Sequence, residues 1–484
     1  WEFRRKRKSS TQAVYKWKAR LNLHRGRQTY GVNYWETYAP VVNWFSIRLF
    51  LIMAIAKGWH TRQIDFVLAY PQADIECELY MQIPQGFRFK GSRQTHALKL
   101  KKNLYGQKQA GRAWNQYLTS GLIERGFTQS KIDECVYYKG SVIFMVYVDD
   151  GILCGPDKSE IQKVIDELQL PSVGTRAFKV SDEGEIDDYL GVKVQRVGST
   201  ITLTQPHLIQ KILDDIGFKD NTTHKDTPAK VGVILRRDEQ GEPFKEDWHY
   251  RSVIGKLNFL EKSTRPDIAY AVHQCARFAI DPKNSHADAV KFIGRYLLGT
   301  KDKGLILQTD EAQQFECYVD CDFAGNWHPD DAMNDPSTAK SRTGYVIKYA
   351  GCPIVWASKL QTLTALSTTE SEYIGLSTAL REVICLMELL KEAQEYGIEV
   401  MATKPTIRCT VFEDNSGALE IARTPKMRPR TRHINNVYHH FREYVKNGLI
   451  EILAVSTDLQ SADIFTKPLD FKTFIRHRFS IMHW

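Results

Sequence analysis

The stretch SVIFMVYVDDGILC, residues 141–154, places two adjacent acids, Asp149 and Asp150, between two short apolar runs. Short apolar runs rich in β-branched residues predict two strands of a buried hairpin. Carboxylates held side by side at a hairpin tip repel each other unless a cation or a proton separates them. Mg²⁺, a hard cation that prefers oxygen ligands, suits such a pair. The stretch predicts a metal-binding hairpin, while turn chemistry alone is the simpler alternative.

The net charge of the chain is concentrated at one end. The 484 residues include 66 Lys and Arg against 57 Asp and Glu, which gives +9. Residues 1–30 contain ten basic side chains and one acid, so this segment accounts for the whole excess. A basic segment of this kind predicts a polyanionic partner, either nucleic acid or an anionic membrane. The overall composition, 43% hydrophobic and 25% charged, is that of a globular protein and excludes a disordered tail or a fibre.

Membrane insertion and secretion are not predicted. The longest apolar run, residues 49–56, is eight residues long, whereas a spanning helix needs about 18. No apolar segment follows the basic start, as it would in a secretory signal. The nine cysteines are scattered without a Cys-x-x-Cys pair, which is typical of reduced thiols in the cytosol or nucleus. Because the chain begins with Trp1, we expect it to be a piece of a longer polypeptide.

The hydrophobic pattern alternates between the helical and the strand period, which predicts mixed α and β structure with boundaries near residues 197 and 313. Helices are expected at 46–56, at the end of the segment 98–118, at 206–216 and at 370–391. The segment 250–298 is expected to be mostly helical, with a turn at TRPD (264–267). Strands are expected at 200–204, 315–320, 344–357, 407–412 and 449–455.

A third acid extends the first constellation. Asp65 is the only charged residue in the apolar run 64–70, where a carboxylate is either satisfied locally or a metal ligand. The YVDD tetrapeptide with an upstream Asp in a strand resembles the catalytic motifs of reverse transcriptases. Further segments resemble the Pol polyproteins of copia-type LTR retrotransposons, in the same order over essentially the whole chain: KARL (18–21), YWETYAPV (34–41), LYMQIPQGF (79–87), LKKNLYGQKQAGRAW (100–114), YLGV (189–192), TRPD (264–267) and RYLLGT (295–300).

This resemblance implies catalytic and metal-binding roles for Asp65, Asp149 and Asp150, which would hold two Mg²⁺ or Mn²⁺ ions for phosphoryl transfer. Tyr70 would block the 2′-hydroxyl of a ribonucleotide. Without the family resemblance, a core tyrosine is a serious alternative for this residue. Gln109 would pack against the incoming nucleotide and the template.

Three basic residues receive nucleotide-binding roles from the same resemblance. Lys18 and Arg20 would contact the triphosphate from a fingers hairpin, the alternative being a solvated basic face. Lys179 would neutralise pyrophosphate. The chain departs from the family pattern at Gln107 and Gly111, where Leu and Pro are usual, and neither position is expected to carry chemistry.

A second set of acids occupies the last third of the chain. Asp320 ends an expected strand, Glu372 begins a helix, Asp414 follows a strand and Asp463 lies in ADIFTKPL. Acids at strand ends and helix starts converge readily in an α/β fold, and four can hold two Mg²⁺ about 4 Å apart. With YVDCDFAG (318–325), ALSTTESEYIGL (365–376) and TRHINNVYHHFRE (431–443), they resemble the RNase H domain of copia-type elements, which cuts the RNA of an RNA–DNA hybrid.

Some assignments in this second set stay open. Glu370 and Glu372 each follow a Ser or Thr by three residues, so both fit a capping box; the family pattern favours Glu372. Asp322 is a loop-anchoring residue or a metal ligand. A predicted helix carries His433, His439 and His440, whose spacing matches no common zinc site and favours a basic face toward nucleic acid. The basic stretch 423–432 would contact phosphates of the hybrid.

The resemblance implies a right-hand polymerase followed by an RNase H-like α/β domain. Fingers and a ferredoxin-like palm would span residues 1–197, a helical thumb and connection 198–312, and the RNase H-like domain 313–484. The expected partners are an RNA template, a DNA primer, their hybrid and dNTPs, without a membrane, and other parts of the polyprotein such as capsid protein, protease and integrase. The expected location is the cytoplasm, within a virus-like particle, or the nucleus.

Two other hypotheses remain. A decayed or repurposed retrotransposon remnant would bind nucleic acid without catalysis, although every expected carboxylate is present. A stand-alone metal nuclease would use only residues from about 313 onward, but this hypothesis leaves YVDD, LYGQKQAG and Tyr70 unexplained.

Overall fold

The computed structural model describes residues 1–7, 13–172, 174, 176–219, 221–310, 312–400, 406–424 and 436–484. These residues form mixed α/β structure, as predicted, and the chain divides into two compact units. The first unit combines Trp1–Asn43 with His60–Ile186, and the second combines Trp44–Trp59 with Asp187–Trp484. Within the described ranges no helix has both the length and the apolar character that a membrane crossing requires.

The strands are β1 Glu2–Arg7, β2 Val14–Arg20, β3 His60–Phe66, β4 Tyr80–Gln82, β5 Ala97–Lys99, β6 Thr128–Gln129, β7 Val136–Lys139, β8 Val142–Tyr147, β9 Asp150–Gly155, β10 Val180–Gly184, β11 Asp188–Tyr189, β12 Val192–Val197, β13 Thr200–Thr204, β14 Leu305–Gln308, β15 Phe315–Asp322, β16 Arg342–Tyr349, β17 Cys352–Leu360, β18 Cys409–Glu413 and β19 Ile450–Ala454. The α-helices are α1 Trp44–Ala56, α2 Ala69–Gln72, α3 Ala110–Glu124, α4 Lys158–Leu168, α5 Pro206–Asp215, α6 Tyr250–Ser263, α7 Ala269–Ala276, α8 Asn284–Gly299, α9 Thr368–Glu395, α10 Ser416–Arg423, α11 Arg442–Lys446 and α12 Phe471–Met482.

The first unit is organised around a six-stranded antiparallel sheet in the order β10-β3-β9-β8-β7-β6. The apolar run 142–146 forms β8 and is buried throughout, which explains why its sequence does not alternate. Trp114 and Leu118 of α3 and Ile165 of α4 join the core formed by the sheet residues. The predicted hairpin is confirmed, and its second strand begins at Asp150 itself.

Two small two-stranded sheets complete the strands of the first unit: β1 pairs with β2 and β4 pairs with β5, both antiparallel. The β1–β2 pair contains most of the basic residues that set the net charge of the chain, with sequences EFRRKR and VYKWKAR.

The second unit contains a five-stranded sheet in the order β17-β16-β15-β18-β19. Its first three strands are antiparallel, whereas β15, β18 and β19 run parallel. The long helix α9 packs on β15 and β16, with Leu376, Leu380 and Val383 fully buried. The rest of this unit contains a four-stranded sheet, β11-β12-β13-β14, and the helices α1, α5 to α8 and α10 to α12.

The segment 250–298 is mostly helical with a turn at TRPD (264–267), as predicted. Three helices occupy it, and a 3-10 turn Pro266–Ile268 separates α6 from α7. Pro266 has no backbone N–H to continue an α-helix. The fully buried Arg265 makes an ion pair with Asp267 at 2.8 Å, and Tyr296 donates a hydrogen bond to the same carboxylate at 2.6 Å. The TRPD segment is therefore a buried structural turn.

Candidate functional site

The first candidate centre lies where β3 and β9 meet. Asp65 of β3 pairs directly with Asp150, the first residue of β9, so the two side chains lie on the same face of the sheet. Asp149 stands in the two-residue turn before β9, and its carbonyl accepts a 2.7 Å hydrogen bond from Phe66 N. All three acids are half-buried. The structure thus brings the three predicted acids to one place on the sheet.

The turn that carries Asp149 has an unusual backbone. Val148 has a φ of 58°, in the left-handed region that a β-branched residue rarely adopts. The indole of Trp114, which is 1% exposed, donates a 2.6 Å hydrogen bond to the carbonyl of Val148. A strained turn persists only when its surroundings fix it. Trp114, the last residue of the motif at 100–114, therefore helps to hold the acids in place.

A column of side chains leads from the basic hairpin to this turn. The Arg20 guanidinium lies 4.6 Å from the centre of the Tyr105 ring, which in turn lies 4.9 Å from the ring of Tyr70. Burial, and after it the charge of Asp149, raises the pKa of Tyr70 and raises the pKa of Tyr105 to about 12. Both phenols are therefore neutral at physiological pH. Tyr105 received no role from the sequence.

Tyr70 borders a cavity of about 480 Å³. Arg25, Gly111 and Val148 also line it, so the cavity lies next to the turn of Asp149 and presents a basic side chain. Lys108 is a second basic residue in the lining, whereas Asp65, Asp149 and Asp150 are not among the lining residues. Arg25 was not singled out in the sequence, where it is one of ten basic residues in the first 30.

The other predicted nucleotide-binding residues are distributed around this region. Gln109 is buried immediately before α3, where its amide donates to the carbonyl of Asn33 at 3.2 Å and accepts from Gln28 at 3.0 Å. Lys18 is half-buried on β2. Lys179 is exposed, and its carbonyl accepts a hydrogen bond from Val67 N at 2.8 Å. The roles given to these residues stay predictions.

The second candidate centre lies in the five-stranded sheet of the second unit. Asp320 of β15, Glu372 of α9 and Asp414, which follows β18, each place a carboxylate oxygen within 4.8 Å of the others. Among the residues that the structure describes, this is the one group of three such ligands that meets that distance. The parallel pairing of β15 with β18 brings Asp320 and Asp414 to the same end of the sheet. The sequence predicted these three acids as one set.

Asp463 stands beside this trio, in the 3-10 helix Ser461–Phe465. Burial, and then the charge of Asp320, raises the pKa of Asp463 to about 7. Lys467 makes an ion pair with Asp463 at 2.9 Å, and the Thr466 hydroxyl donates to Asp320. Although burial opposes it, the charges of Asp320 and Asp463 raise the pKa of Lys467. The sequence did not predict this lysine as a neighbour of the four acids.

The structure distinguishes the two glutamates at the start of α9. The Glu370 carboxylate accepts a 2.7 Å hydrogen bond from Leu366 N, and Ser367 caps its backbone at 3.1 Å, which is a helix-capping arrangement. Glu372 points to Asp320 and Asp414 instead. Asp322, the last residue of β15, does not belong to this group of three carboxylates. Burial and the charge of Asp320 raise the pKa of Asp322.

One acid at this centre was missed by sequence reasoning. Glu413, the last residue of β18, is fully buried, and its Oε1 accepts from Asn415 N at 3.1 Å. Burial raises the pKa of Glu413 well above its usual range, and Glu413 in turn helps to raise the pKa of Glu372. The signal was present, because Cys409 and Val411 alternate with Glu413 on the buried face of the strand.

A shell of buried polar groups surrounds Glu372. Its neighbour Ser371 accepts a 2.9 Å hydrogen bond at its carbonyl from the Gln361 amide, which also donates to Thr343 at 3.0 Å. The Cys321 thiol lies 3.4 Å from the same Thr343 hydroxyl. A side chain inside such a network has one orientation, which favours a fixed geometry at the centre.

The predicted histidine helix is only partly described. His433 and most of the basic stretch 423–432 lie outside the described residues, with Arg423 inside them. The prediction of one helix was wrong for the described part, because His439 lies in a 3-10 turn and α11 begins at Arg442. His439 hydrogen-bonds to Tyr373 at 2.7 Å. This histidine therefore packs against α9 instead of facing outward.

The donor set of the second centre fits a hard divalent cation. Three carboxylate oxygens converge, and the buried Glu372 Oε2 has no hydrogen-bond partner among the described residues. Oxygen ligands without nitrogen or sulfur are the ligands of Mg²⁺ and Mn²⁺. Asp320, Glu372 and Asp414, with Asp463 beside them, could hold such an ion. The metal-binding role of Asp65, Asp149 and Asp150 stays a prediction.

Comparison with known proteins agrees with this geometry. Residues 1–230 match the family "Reverse transcriptase (RNA-dependent DNA polymerase)". The chain is 32% identical over 481 residues to the retrovirus-related Pol polyprotein from transposon TNT 1-94 of Nicotiana tabacum, covering 96% of this chain and 34% of that protein. It is 33% identical over 476 residues to the corresponding polyprotein from transposon RE1 of Arabidopsis thaliana, covering 97% of this chain and 30% of that protein.

The chain thus spans about a third of the length of these curated relatives. A solved N-terminal RNase H domain of rv2228c from Mycobacterium tuberculosis, fused to maltose binding protein, matches 35% of this chain and 98% of that chain. Its sequence identity to this chain is 12% and its TM-score is 0.22, which is too low to show a shared fold. The sequence matches confirm the resemblance found in the motifs. The chain belongs to the Pol polyproteins of copia-type retrotransposons, and its residues 1–230 are the reverse transcriptase region.

Proposed function

We propose that this chain is an RNA-directed DNA polymerase with ribonuclease H activity. It copies retrotransposon RNA into DNA, also extends on DNA templates, and degrades the RNA of the hybrid. The observation that carries this proposal is the presence of two separate carboxylate centres in one chain, one in each compact unit. A polymerase and a nuclease that both act on phosphodiesters need one such centre each.

Polymerisation is assigned to the first unit. When bound by Asp65, Asp149 and Asp150, two Mg²⁺ ions would activate the primer 3′-hydroxyl and neutralise the triphosphate. The direct pairing of β3 with β9 fixes Asp65 opposite Asp150, which supports a constant geometry. Tyr70, at the edge of the cavity, would lie against the sugar. The nucleotide contacts proposed for Lys18, Arg20, Gln109 and Lys179 follow from the family resemblance.

Cleavage of RNA is assigned to the second unit. Asp320, Glu372, Asp414 and Asp463 would hold two Mg²⁺, and the chemistry that such ions would supply is activation of a water and stabilisation of the leaving oxygen. Thr466 donates to Asp320 and Lys467 pairs with Asp463, so two of the four acids already have a fixed orientation. The capping bonds of Glu370 and the position of Glu372 beside Asp320 and Asp414 support Glu372 as the glutamate of this set.

The domain arrangement belongs to the same proposal. Fingers and palm occupy residues 1–197, thumb and connection 198–312, and an RNase H-like domain 313–484. The six-stranded sheet of the first unit supports the palm, and the five-stranded sheet with α9 supports the RNase H-like domain. The nucleic-acid partners are an RNA template, a DNA primer and their hybrid, and the other parts of the polyprotein are further partners. The enzyme would act in the cytoplasm, inside virus-like particles.

The proposal is tested with the chain, an RNA template annealed to a DNA primer, dNTPs and Mg²⁺. We expect primer extension that Asp149→Asn abolishes, and RNA cleavage that Glu372→Gln abolishes while extension continues. Glu370→Gln is the matched control and keeps both activities. Extension that is absent, or that persists in Asp149→Asn, would refute the polymerase; hybrid binding without any turnover would identify a remnant that only binds nucleic acid.

A further inference from the structure

The β1–β2 hairpin turns one of its faces to solvent. Phe3 lies opposite Ala19 and Arg5 lies opposite Trp17, so these four residues share one face of the antiparallel pair. All four are exposed, and Phe3 and Trp17 are each 74% accessible. Trp1, 56% accessible, extends this face because its ring stacks on Phe3 at 6.4 Å. Trp1, Phe3 and Trp17 together form an aromatic row.

The opposite face of the hairpin is differently occupied. It contains Glu2 opposite Arg20 and Arg4 opposite Lys18. Glu2, Lys18 and Arg20 are half-buried, and Arg20 lies over the ring of Tyr105. The triphosphate contacts proposed for Lys18 and Arg20 therefore belong to this inner face. The aromatic row faces the other way and has no part in them.

The rings of the aromatic row are held in position. The indole of Trp1 donates a 3.0 Å hydrogen bond to the carbonyl of Gln85, and the Arg5 guanidinium lies 5.9 Å from the centre of the Trp17 ring. The exposed area of the three rings is on the order of 400 Å². An exposed apolar patch of about this size commonly marks a binding surface. A ligand that stacks on these rings would lose little side-chain entropy.

The charge around the row selects the ligand. β1 and β2 contain seven basic residues and one acid, so a polyanion is attracted and a basic or neutral partner is not. Aromatic rings beside basic side chains are how proteins bind single-stranded nucleic acid, because bases stack on the rings while phosphates meet the charges. A duplex keeps its bases stacked inside and offers none to the row.

We propose that the aromatic row binds unpaired bases of the template strand ahead of the primer end. This inference rests on the proposed function, since it assumes that the chain holds a primed template. Stacking uses the face of any base, so the row accepts RNA and DNA and reads no sequence. It gives the hairpin two roles: its inner face serves the incoming nucleotide, and its outer face holds the template strand.

Binding of the full chain to two labelled primer–templates tests the proposal. One has a 5′ overhang of unpaired template, and the other is blunt with the same paired length. We expect Phe3→Ala and Trp17→Ala each to weaken overhang binding about tenfold and to leave blunt binding unchanged. Trp17→Phe keeps a ring and retains most of the affinity. Phe479→Ala, which removes a ring that is 60% exposed on α12, is the control and changes neither.

Each other outcome contradicts the stacking surface. Unchanged overhang binding in Trp17→Ala means that the aromatic row contacts no nucleic acid and either faces solvent or packs against protein. Equal losses of affinity for both substrates mean that the rings only stabilise the hairpin. The result is separable from the proposed function. A wild-type chain that binds the overhang through Trp17 but never extends the primer refutes the polymerase and leaves the stacking surface intact. If the wild-type chain extends primers and Trp17→Ala binds the overhang normally, the stacking surface is refuted and the polymerase is retained.

Discussion

Replacing Glu372 by Gln should stabilise the metal-free protein. Glu372 is 6% exposed, and its Oε2 has no hydrogen-bond partner among the described residues. Burial, and then the charges of Glu413 and Asp320, raises the pKa of Glu372 from its usual value of about 4.5 to about 11. At pH 7 the folded protein therefore holds this carboxyl as a neutral acid, whereas the unfolded chain releases the proton. Folding without a cation must take that proton up from solution.

The magnitude follows from the unfolded state alone. One unit of pKa corresponds to about 1.4 kcal/mol, and the usual pKa of Glu lies about 2.5 units below pH 7, so the proton uptake costs about 3 kcal/mol. Gln has the same shape and is neutral in both states, so Glu372→Gln should gain up to that amount. In a unit of this size the corresponding rise in melting temperature is about 5 °C.

The pH dependence has a definite sign. A folded-state pKa above the unfolded value gives stability that is fully present below about pH 4.5 and declines as the pH rises toward the folded pKa. The advantage of Glu372→Gln should therefore shrink to about 1 kcal/mol at pH 5. Mg²⁺ should reverse the order, because the wild type gains binding energy that the variant has lost.

Calorimetric melting in EDTA at pH 5 and pH 7, and then in Mg²⁺, measures all three effects. Glu370→Gln is the matched control on the same helix: it weakens the bond to Leu366 N and should lower the melting temperature or leave it unchanged. If Glu372→Gln is no more stable than the wild type in EDTA at pH 7, or keeps its full advantage at pH 5, the carboxylate repulsion described here is wrong.

Three further changes have definite expected outcomes. Trp114→Phe leaves the Val148 carbonyl without its donor and should lower stability by about 1–3 kcal/mol in urea titrations, with a larger relative loss of primer extension than of RNA cleavage. Tyr70→Val should raise ribonucleotide incorporation about tenfold or more in primer extension, while Tyr70→Phe should not. Burial, with the nearby charge of Arg476, lowers the pKa of His477 from 6.5 to about 4. The free energy of unfolding of the wild type should therefore decrease as the pH is lowered from 6.5 to 4, and His477→Gln should make that decrease smaller in urea titrations.

The sequence predicted those parts of the fold that local pattern determines. The hairpin of β8 and β9 was predicted because two apolar runs flank one polar break, and β13 matched because its pattern is short and bounded. The pairing of Asp65 with Asp150 could not be predicted, because register between β3 and β9 depends on strands 85 residues apart in the chain. Asp65 was grouped with Asp149 and Asp150 only because of the family resemblance, since the local pattern does not relate them.

The candidate sites show the same division. Glu370 and Glu372 share one helix start, and capping logic could not separate them. Residues two apart on a helix do not face the same way, so only one of them could reach Asp320. Tyr105 was missed because its neighbours Arg20 and Tyr70 come from distant segments. Lys467 was missed although it lies only four residues after Asp463, in the same segment ADIFTKPL. Glu413 was missed although its alternation with Val411 placed it on the buried face of β18.

The second centre also shows why a chain keeps features that weaken its fold. Gly375, less than one turn after Glu372 on α9, faces Cys321, and an added Cβ there would lie closer to the Cys321 sulfur than real Cβ atoms come. Glycine inside a helix costs about 1 kcal/mol relative to alanine, and a buried unpaired carboxyl costs more. A helix selected for stability alone would have alanine and an apolar residue at these two positions. Because a Cβ at 375 would crowd the Cys321 sulfur of β15, glycine at this position favours close packing of α9 on β15, and Glu372 of the same helix lies close to Asp320 and Asp414.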